Sequence, residues 1–260
     1  MLNETQKQRY LRNTILPQIG EDGQKKLLRA KVLVIGAGGL GSPILYYLAS
    51  AGIGNIGVID DDIVELSNLQ RQVIHSFSDL GRKKVLSAQE KILALNSDIN
   101  LQIFDRRASL ESLTKIAKNY DYILDATDNF PSRFIINEYC VKARKTLIFA
   151  AVKGFLGQVS VFDFNGSPHA RNDDFSASPC YACFNPNIVD ENFSLPLSEK
   201  GILGSVAGTI GALQATTTIR EILNIGESLV GKILIFDFLR NEFRKTTIKK
   251  NKNCKICGNN

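Results

Sequence analysis

A glycine-rich loop constrains the fold of this 260-residue chain more than any other sequence feature. It occupies residues 36–41, GAGGLG, directly after the apolar, β-branched run KVLVI, which is typical of a buried parallel strand. A segment with helical character follows and closes at Gly52, and a second apolar run ends at Asp60. A strand, a glycine loop, a helix and a strand ending in an acid indicate the start of a doubly wound nucleotide-binding fold.

The same alternation continues along the chain. Further strands are expected at residues 101–105, 121–129 and 146–151, with helices at 81–95 and 130–143 between them. We therefore predict an α/β fold with a Rossmann-like, doubly wound and mostly parallel sheet. The later runs GQVSVFDF, KILIFDF and EFRKTTI predict antiparallel strands that extend this sheet.

The length of the chain suits one large α/β domain or two small ones, and we predict a single domain over residues 1–260. Its expected parts are a nucleotide-binding core at about 31–150, a crossover loop at about 165–200 and a metal-tied C-terminal part at 201–258. The crossover segment is rich in Pro, Asn, Ser and Asp, and it is too long for a simple connection.

Composition and charge argue against several classes of protein. Apolar content of 44% and charged content of 22% are ordinary for a globular protein. The N-terminus is polar, without the apolar stretch of a signal peptide, and the run 206–223 is interrupted by polar residues, so it predicts a buried helix rather than a membrane span. We expect a cytoplasmic protein. The net charge of +6 gathers near the C-terminus without interleaved aromatics, which argues against nucleic acid and leaves an acidic protein partner open.

The glycine loop identifies a nucleotide site without identifying the nucleotide. Gly36, Gly38 and Gly41 fit the spacing that lets backbone amides approach a phosphate at a helix N-terminus. Asp60 ends the second strand, where a carboxylate can accept hydrogen bonds from ribose hydroxyls. Dinucleotide-dependent dehydrogenases share both features.

A polar run soon after Asp60 favours a triphosphate over a dinucleotide. In SNLQRQ, residues 67–72, Arg71 offers a guanidinium fork for phosphate oxygens, and Asn68 and Gln72 add neutral polar contacts. Lys84 is a second candidate cation. Each of these residues alone would be interpreted as a solvated surface residue, so the prediction depends on their clustering.

Asp128 follows the fourth predicted strand within ATDN. The carboxyl end of such a strand faces the ligand crevice, and beside a triphosphate an aspartate is a candidate ligand of Mg²⁺. The alternative is that Asp128 caps the helix that starts near Phe130.

Four cysteines form two C-x-x-C pairs, Cys180 with Cys183 and Cys254 with Cys257. Two pairs favour a tetrahedral structural zinc site that joins distant segments, with a redox pair as the alternative. The fifth cysteine, Cys140, is expected to be a small buried side chain. The histidines, residues 75 and 169, show no evident partner in the sequence and receive no predicted role.

Together these motifs resemble the ThiF/MoeB adenylyltransferases, bacterial relatives of the ubiquitin-activating enzymes. The resemblance covers about residues 5–258 and includes the opening segment RYLRNTILPQIGEDGQKKL. The nucleotide contacts expected from the motifs and the resemblance are Gly36, Gly38, Gly39, Gly41, Asp60, Asp62, Ser67, Asn68, Leu69, Gln70, Arg71, Gln72, Lys84, Asp128 and Asn129. The expected catalytic residues are Arg71, Lys84, Asp128 and Arg12, the last matching an arginine that reaches the partner subunit's active site.

The resemblance implies a homodimer that uses Mg-ATP to adenylylate the C-terminal glycine of a small ubiquitin-like sulfur carrier protein, with a structural zinc. Many relatives carry a cysteine where this chain has Leu197, so we expect no covalent enzyme–carrier step here and a separate sulfurtransferase to consume the acyl-adenylate. Three alternatives stay open: a dinucleotide-dependent oxidoreductase, an ATP-dependent dehydratase of a modified tRNA base, and a catalytically silent scaffold. The sequence does not distinguish a thiamine-type from a molybdopterin-type carrier.

Overall fold

Each predicted apolar run forms a strand of one sheet in the computed structural model, which describes residues 1–166, 178–186 and 201–258. The strands are β1 (Lys31–Ile35), β2 (Asn55–Ile59), β3 (Asn100–Phe104), β4 (Tyr122–Asp125), β5 (Thr146–Lys153), β6 (Leu156–Phe162), β7 (Lys232–Asp237) and β8 (Glu242–Thr247). The helices are α1 (Glu4–Arg9), α2 (Leu11–Thr14), α3 (Gly20–Arg29), α4 (Gly41–Ala51), α5 (Lys84–Leu95), α6 (Leu110–Ile116), α7 (Phe130–Ala143), α8 (Tyr181–Phe184) and α9 (Gly204–Leu223). In space the strand order is β3-β2-β1-β4-β5-β6-β7-β8.

The first five strands are parallel and form the nucleotide-binding half of the sheet. β1 pairs with β2 on one side and with β4 on the other, so that Val34 lies opposite both Val58 and Leu124. The chain therefore winds outward to β3, returns across β1 and continues in the opposite direction through β4. A ligand crevice is expected at such a switch point, outside the carboxyl ends of β1 and β4.

The last three strands extend the sheet in antiparallel fashion. β6 pairs with β5, β7 with β6, and β8 with β7. The turn between β7 and β8 includes Asn241 at φ +54°, in the left-handed region that asparagine tolerates in tight turns. The predicted fold class, a mostly parallel sheet with antiparallel extension, is confirmed.

The long helix α9 covers the start of α4 and explains the buried segment expected at 206–223. A Cβ on Gly211 would lie 2.5 Å from Pro43 Cγ and 2.6 Å from the Leu40 carbonyl oxygen, so only glycine allows this close approach. α9 also packs on β5 and β6. Within the described residues, none of the helices is both long and apolar enough to cross a membrane.

Apolar side chains fill both faces of the sheet because neighbouring strand residues point in opposite directions. Along β1, Val34 joins the cluster beneath α4 and α9, whereas Leu33 and Ile35 join the cluster on the other face. Cys140 of α7 is fully buried in this second cluster, and the prediction of a small buried side chain is confirmed. The core thus holds the carboxyl ends of the parallel strands in fixed register.

Candidate functional site

The glycine loop turns sharply between β1 and α4. Gly36 has φ +104°, and a Cβ there would lie 2.7 Å from the carbonyl oxygen of Ala126. A Cβ on Gly41 would overlap the carbonyl oxygen of Gly36. Both positions therefore require glycine for the backbone itself, since one needs a left-handed conformation and the other a close backbone approach.

A cleft of about 540 Å³ opens at the carboxyl ends of the parallel strands. The predicted nucleotide contacts that line it are Gly36, Gly38, Gly39, Asp60, Asp62, Gln70, Arg71, Gln72, Lys84, Asp128 and Asn129. The predicted residues that lie outside its lining are Gly41, Ser67, Asn68, Leu69 and Arg12. The fold thus gathers predicted residues from five separate segments of the chain at one place.

Asn68 does not line the cleft but stabilises the turn next to it. Its side-chain oxygen accepts a hydrogen bond from the Glu65 amide at 3.1 Å, and its backbone oxygen accepts bonds from the amides of Arg71 and Gln72 at 3.0 and 2.9 Å. The turn built in this way presents Arg71 and Gln72 to the cleft. Asn68 itself is buried.

Arg71 lies between the glycine loop and α9. Its Nη1 donates to the Ser67 carbonyl oxygen at 3.0 Å, and its aliphatic part lies where a Cβ on Gly39 would be 3.5 Å away. A Cβ on Gly204, at the start of α9, would overlap the backbone oxygen of Gln70. The start of α9 therefore packs directly behind the segment that carries Arg71.

Asp60 holds the glycine loop in addition to facing the cleft. Its Oδ2 accepts a hydrogen bond from the Ala37 amide at 2.7 Å, and its Oδ1 accepts one from the Asp62 amide at 2.9 Å. Burial raises the pKa of this carboxyl, although the nearby Lys84 ammonium and the two amide bonds favour its ionised form. The sequence predicted the cleft position but not these loop contacts.

Lys84 is the first residue of α5, and its side chain is almost completely buried. Its backbone amide donates to the Asp62 carbonyl oxygen at 3.0 Å, and its Nζ donates to Asp62 Oδ2 at 2.7 Å. The pair places an ammonium at the wall of the cleft. Such a point charge suits phosphate oxygens.

Asn129, and not Asp128, caps α7. The Asn129 side-chain oxygen accepts a hydrogen bond from the Ser132 amide at 2.9 Å. The alternative role of Asp128 as the helix cap is therefore wrong. Asp128 is exposed and lines the cleft, with its carboxylate available to a ligand.

Arg133 of α7 is a cleft residue that the sequence analysis missed. It is 5% exposed, donates from Nη2 to the Thr127 carbonyl oxygen at 3.0 Å, and lies 5.4 Å from the ring centre of Phe130. Its position on the same helix face as the apolar residues Ile136 and Cys140 could have indicated that it is buried. Arg106 and Arg107, after β3, also line the cleft and were also missed.

Asp125 at the end of β4 is fully buried beside this arginine. Its Oδ1 accepts hydrogen bonds from the amide and hydroxyl of Thr127 at 2.9 and 2.7 Å. Burial raises its pKa, while the positive charge of Arg133 and the Thr127 bonds act in the opposite direction. Asp125 therefore fixes the backbone that leads to Asp128.

Two buried polar atoms in the lining have no hydrogen-bond partner among the described residues. They are Oε1 of Gln72 and Nε of Arg133. A buried polar atom without a partner costs free energy, and a polar ligand in the cleft can supply the missing bonds.

His75 has partners, contrary to what the sequence suggested. Its Nδ1 lies 2.8 Å from Ser87 Oγ, and its Nε2 lies 3.0 Å from the Ala37 carbonyl oxygen. Burial lowers its pKa. The other histidine, at position 169, lies outside the described residues, as do Leu197 and most of the expected crossover loop.

The four paired cysteines lie close together in space, on the face of the sheet opposite to α4 and α9. Sγ of Cys180 lies 3.7 Å from that of Cys254, and Sγ of Cys183 lies 3.4 Å from that of Cys257. Four thiolates around a tetrahedral zinc ion are separated by roughly 3.8 Å, given Zn–S bonds of about 2.3 Å. The cluster has the composition and spacing to hold a metal ion.

Comparison with known proteins identifies relatives over most of the chain. The sulfur carrier protein adenylyltransferase of Thermus thermophilus is 40% identical over 96% of this chain and 90% of its own length. Adenylyltransferase and sulfurtransferase MOCS3 of Arabidopsis thaliana is 40% identical over the whole chain, which spans 54% of that protein. A crystal structure of Escherichia coli MccB with ATP superposes with a TM-score of 0.78 at 25% identity, over 96% of this chain and 74% of that one.

The family model described as "ThiF family" matches residues 10–256, a range that contains the glycine loop, the cleft and all four clustered cysteines. The order of the motifs, the strand topology and the long matches to relatives agree with one another. The resemblance inferred from the sequence is confirmed, and this chain belongs to the ThiF family.

Proposed function

We propose that this protein uses ATP to adenylylate the C-terminal glycine of a small ubiquitin-like sulfur carrier protein. The products are a carrier acyl-adenylate and pyrophosphate, and the adenylate serves later thiocarboxylation in thiamine or molybdopterin biosynthesis. The observation that carries the proposal is the gathering of Arg71, Lys84 and Asp128 around the glycine loop in one cleft. The name of the Thermus thermophilus relative and the ATP complex of MccB support it.

The proposed reaction requires neutralisation of the negative charge on the two reactants rather than a general base. A terminal carboxylate is already ionised at neutral pH, so one of its oxygens can attack the α-phosphorus directly as the bond to the β-phosphate bridging oxygen breaks. The obstacle is repulsion between two anions, and fixed cations remove it. Arg71 and Lys84 would take this role, and the absence of a predicted catalytic histidine agrees with it.

Magnesium fits the exposed carboxylate of Asp128, because Mg²⁺ binds proteins through one or two carboxylate oxygens together with substrate phosphates. When bound, it would neutralise charge on the triphosphate. Asp128 would hold it at the carboxyl end of β4, in the same cleft as Arg71 and Lys84.

Zinc fits the cysteine cluster, since four thiolates without an open position are typical of a structural site. We propose that it joins the segment around Cys180 to the C-terminal segment around Cys257. The spacing of the sulfur atoms supports this role over a redox pair, because each cysteine has a sulfur neighbour from the other pair within 3.7 Å.

The alternative functions explain less of the cleft. A dinucleotide-dependent oxidoreductase accounts for the glycine loop and Asp60 but not for Arg71, Lys84 and Asp128 in the same lining. A dehydratase of a modified tRNA base commonly lacks the paired cysteines. A silent scaffold has no need for the retained positions. We propose neither nucleic acid nor a membrane as a partner of this protein. A cytoplasmic location and a separate sulfurtransferase are also part of the proposal.

The reaction is tested by ATP–pyrophosphate exchange in the presence of candidate carriers. Exchange should require a carrier with an intact C-terminal glycine, and the same carrier lacking that residue is the matched control. Comparing a thiamine-type with a molybdopterin-type carrier then identifies the biological partner. Exchange that occurs equally without a carrier, or no exchange with any of the candidate carriers, would contradict the proposal.

We further propose a homodimer in which Arg12 acts in the partner's active site. Arg12 lies on α2, is exposed and is not part of the lining of its own cleft, as expected for a residue that acts across a dimer. Two inactive variants, Arg12→Ala and Asp128→Ala, should complement each other when mixed under exchange of subunits. Random pairing restores about a quarter of the sites. No recovery in a demonstrated mixed dimer would refute the shared site.

A further inference from the structure

The peptide groups around Ala37 are held from two sides. The Ala37 amide donates to Asp60 Oδ2 at 2.7 Å, and the Ala37 carbonyl oxygen lies 3.0 Å from Nε2 of His75. A trans peptide points its C=O and N–H in opposite directions. Holding the carbonyl of Ala37 against His75 therefore directs the amide of Gly38 away from that histidine, and Gly38 lines the cleft.

The partners of His75 determine which nitrogen carries the proton. A carbonyl oxygen can only accept a hydrogen bond, so Nε2 must be the protonated nitrogen. In the neutral ring Nδ1 is then an acceptor, and the hydroxyl of Ser87 donates to it at 2.8 Å. Burial of His75 lowers its pKa and keeps the ring neutral. Both ring nitrogens are satisfied in this single tautomer.

His75 connects the glycine loop to the helix that carries Lys84. Ser87 is fully buried and lies one turn beyond Lys84 on α5. The imidazole therefore spans from the loop to α5 through two hydrogen bonds. The distance between the loop amides and the Lys84 ammonium is set by this bridge together with the contact of Lys84 to Asp62.

We propose that His75, protonated on Nε2, is a positioning residue that aims the Gly38 amide into the phosphate site and fixes it relative to Lys84. The inference rests on the proposed use of ATP, and it adds a residue that contacts no ligand itself. His75 acts by keeping the loop carbonyl turned inward, because a carbonyl oxygen facing the cleft would repel phosphate.

Two isosteric amides separate this role from general support of the core. In His75→Gln the amide nitrogen can take the position of Nε2 and donate to the Ala37 carbonyl oxygen. In His75→Asn the shorter amide can reach only the position of Nδ1 and leaves the carbonyl unpaired. We expect His75→Asn to weaken ATP binding about tenfold and His75→Gln to stay within about threefold of wild type, measured by calorimetry. Thermal unfolding checks that the two variants are comparably folded.

The wild-type protein supplies an independent test. Long-range ¹H–¹⁵N correlation spectra of the histidine rings should show one buried imidazole with a protonated Nε2, and His75→Gln identifies the signal. A protonated Nδ1 in the wild-type protein would overturn the inference even if one variant fails to fold. Equal ATP affinity of wild type, His75→Asn and His75→Gln, with both variants folded, would also overturn it. Wild-type protein that binds no ATP would overturn the proposed function, and this inference with it.

Discussion

Nζ of Lys84 lies 2.7 Å from Oδ2 of Asp62, and the two side chains differ sharply in exposure, at 6% for the lysine and 66% for the aspartate. A nearly buried lysine side chain is thus paired with a carboxylate that itself remains in water. The neighbouring Lys83 is different, since it is 40% exposed and pairs with Asp105 at 3.1 Å outside the cleft lining. Adjacent lysines therefore offer a matched test of the phosphate site.

Lys84→Ala should weaken ATP binding, whereas Lys83→Ala should not. Loss of a charged hydrogen-bond donor to phosphate costs about 2 kcal/mol, or roughly thirtyfold in Kd. The exposed pair of Lys83 contributes little, and we expect less than about a threefold change. Both Kd values can be measured by calorimetry with a non-hydrolysable ATP analogue. Equal effects of the two substitutions would show that Lys84 acts only as general positive charge.

Cys183→Ser should release the metal from the cysteine cluster. Zinc content measured by elemental analysis should fall from one ion per chain, and the Tm should drop by about 10 °C because metal binding contributes to folding. Cys140→Ala is the control, since Cys140 is buried in α7 and is not one of the four clustered cysteines. It should retain the zinc. A Cys183→Ser protein with full zinc content would contradict the assignment.

A buried carboxylate at Asp79 should make stability depend on pH. Oδ2 of Asp79 accepts bonds from the amide and hydroxyl of Ser76 at 2.9 and 2.7 Å. Arg82 pairs with Oδ1 at 2.7 Å, and Lys91 pairs with Oδ2 at 3.2 Å. Burial alone raises the pKa of Asp79, but these bonds outweigh it and hold the pKa well below the ordinary value of 3.8. The carboxylate is therefore ionised throughout the neutral range.

Asp79→Asn should cost about 3 kcal/mol at pH 7, since it leaves two cations without their carboxylate and replaces one acceptor oxygen with an NH₂ donor. Because the folded pKa is depressed, the contribution is complete above the unfolded pKa near 4. It is lost as the pH falls below that value, where the unfolded chain takes up the proton first. Urea unfolding should thus show a smaller difference between wild type and variant at pH 3 than at pH 7.

A difference that stays constant between pH 7 and pH 3 would contradict this linkage. Glu111→Gln is the control, because Glu111 forms an exposed pair with Lys115 one helical turn away. Such surface pairs contribute little to stability. This substitution should leave the urea midpoint unchanged at pH 7.

Local sequence patterns predicted much of the fold. The apolar runs placed β1 and β2 correctly, Gly52 closes α4 with φ +84° as expected, and the helix predicted at 130–143 has those bounds. These features depend on neighbouring residues, through periodicity, capping and glycine conformation. The residue groups of the cleft were also found, because the carboxyl ends of parallel strands must meet at one edge of the sheet.

Contacts between distant segments could not be predicted in this way. Nothing in the residues around His75 indicates that the loop carbonyl of Ala37 will lie against its ring, and nothing near Arg71 indicates that Gly204 will pack behind it. Arg133 was overlooked because an arginine on an apolar helix face has no local signal for its partner, the Thr127 carbonyl. Such pairs arise only when the whole sheet is assembled.

The central claim is that the cleft transfers AMP from ATP to the terminal carboxyl group of a protein substrate, with release of pyrophosphate. Intact-mass spectrometry of a carrier incubated with this protein, ATP and Mg²⁺ tests it most directly, with rapid quenching at acid pH to preserve the adenylate. We predict that the carrier gains the mass of one AMP, and that the gain disappears with Asp128→Ala. A carrier of unchanged mass, under conditions in which ATP is bound, would contradict the account.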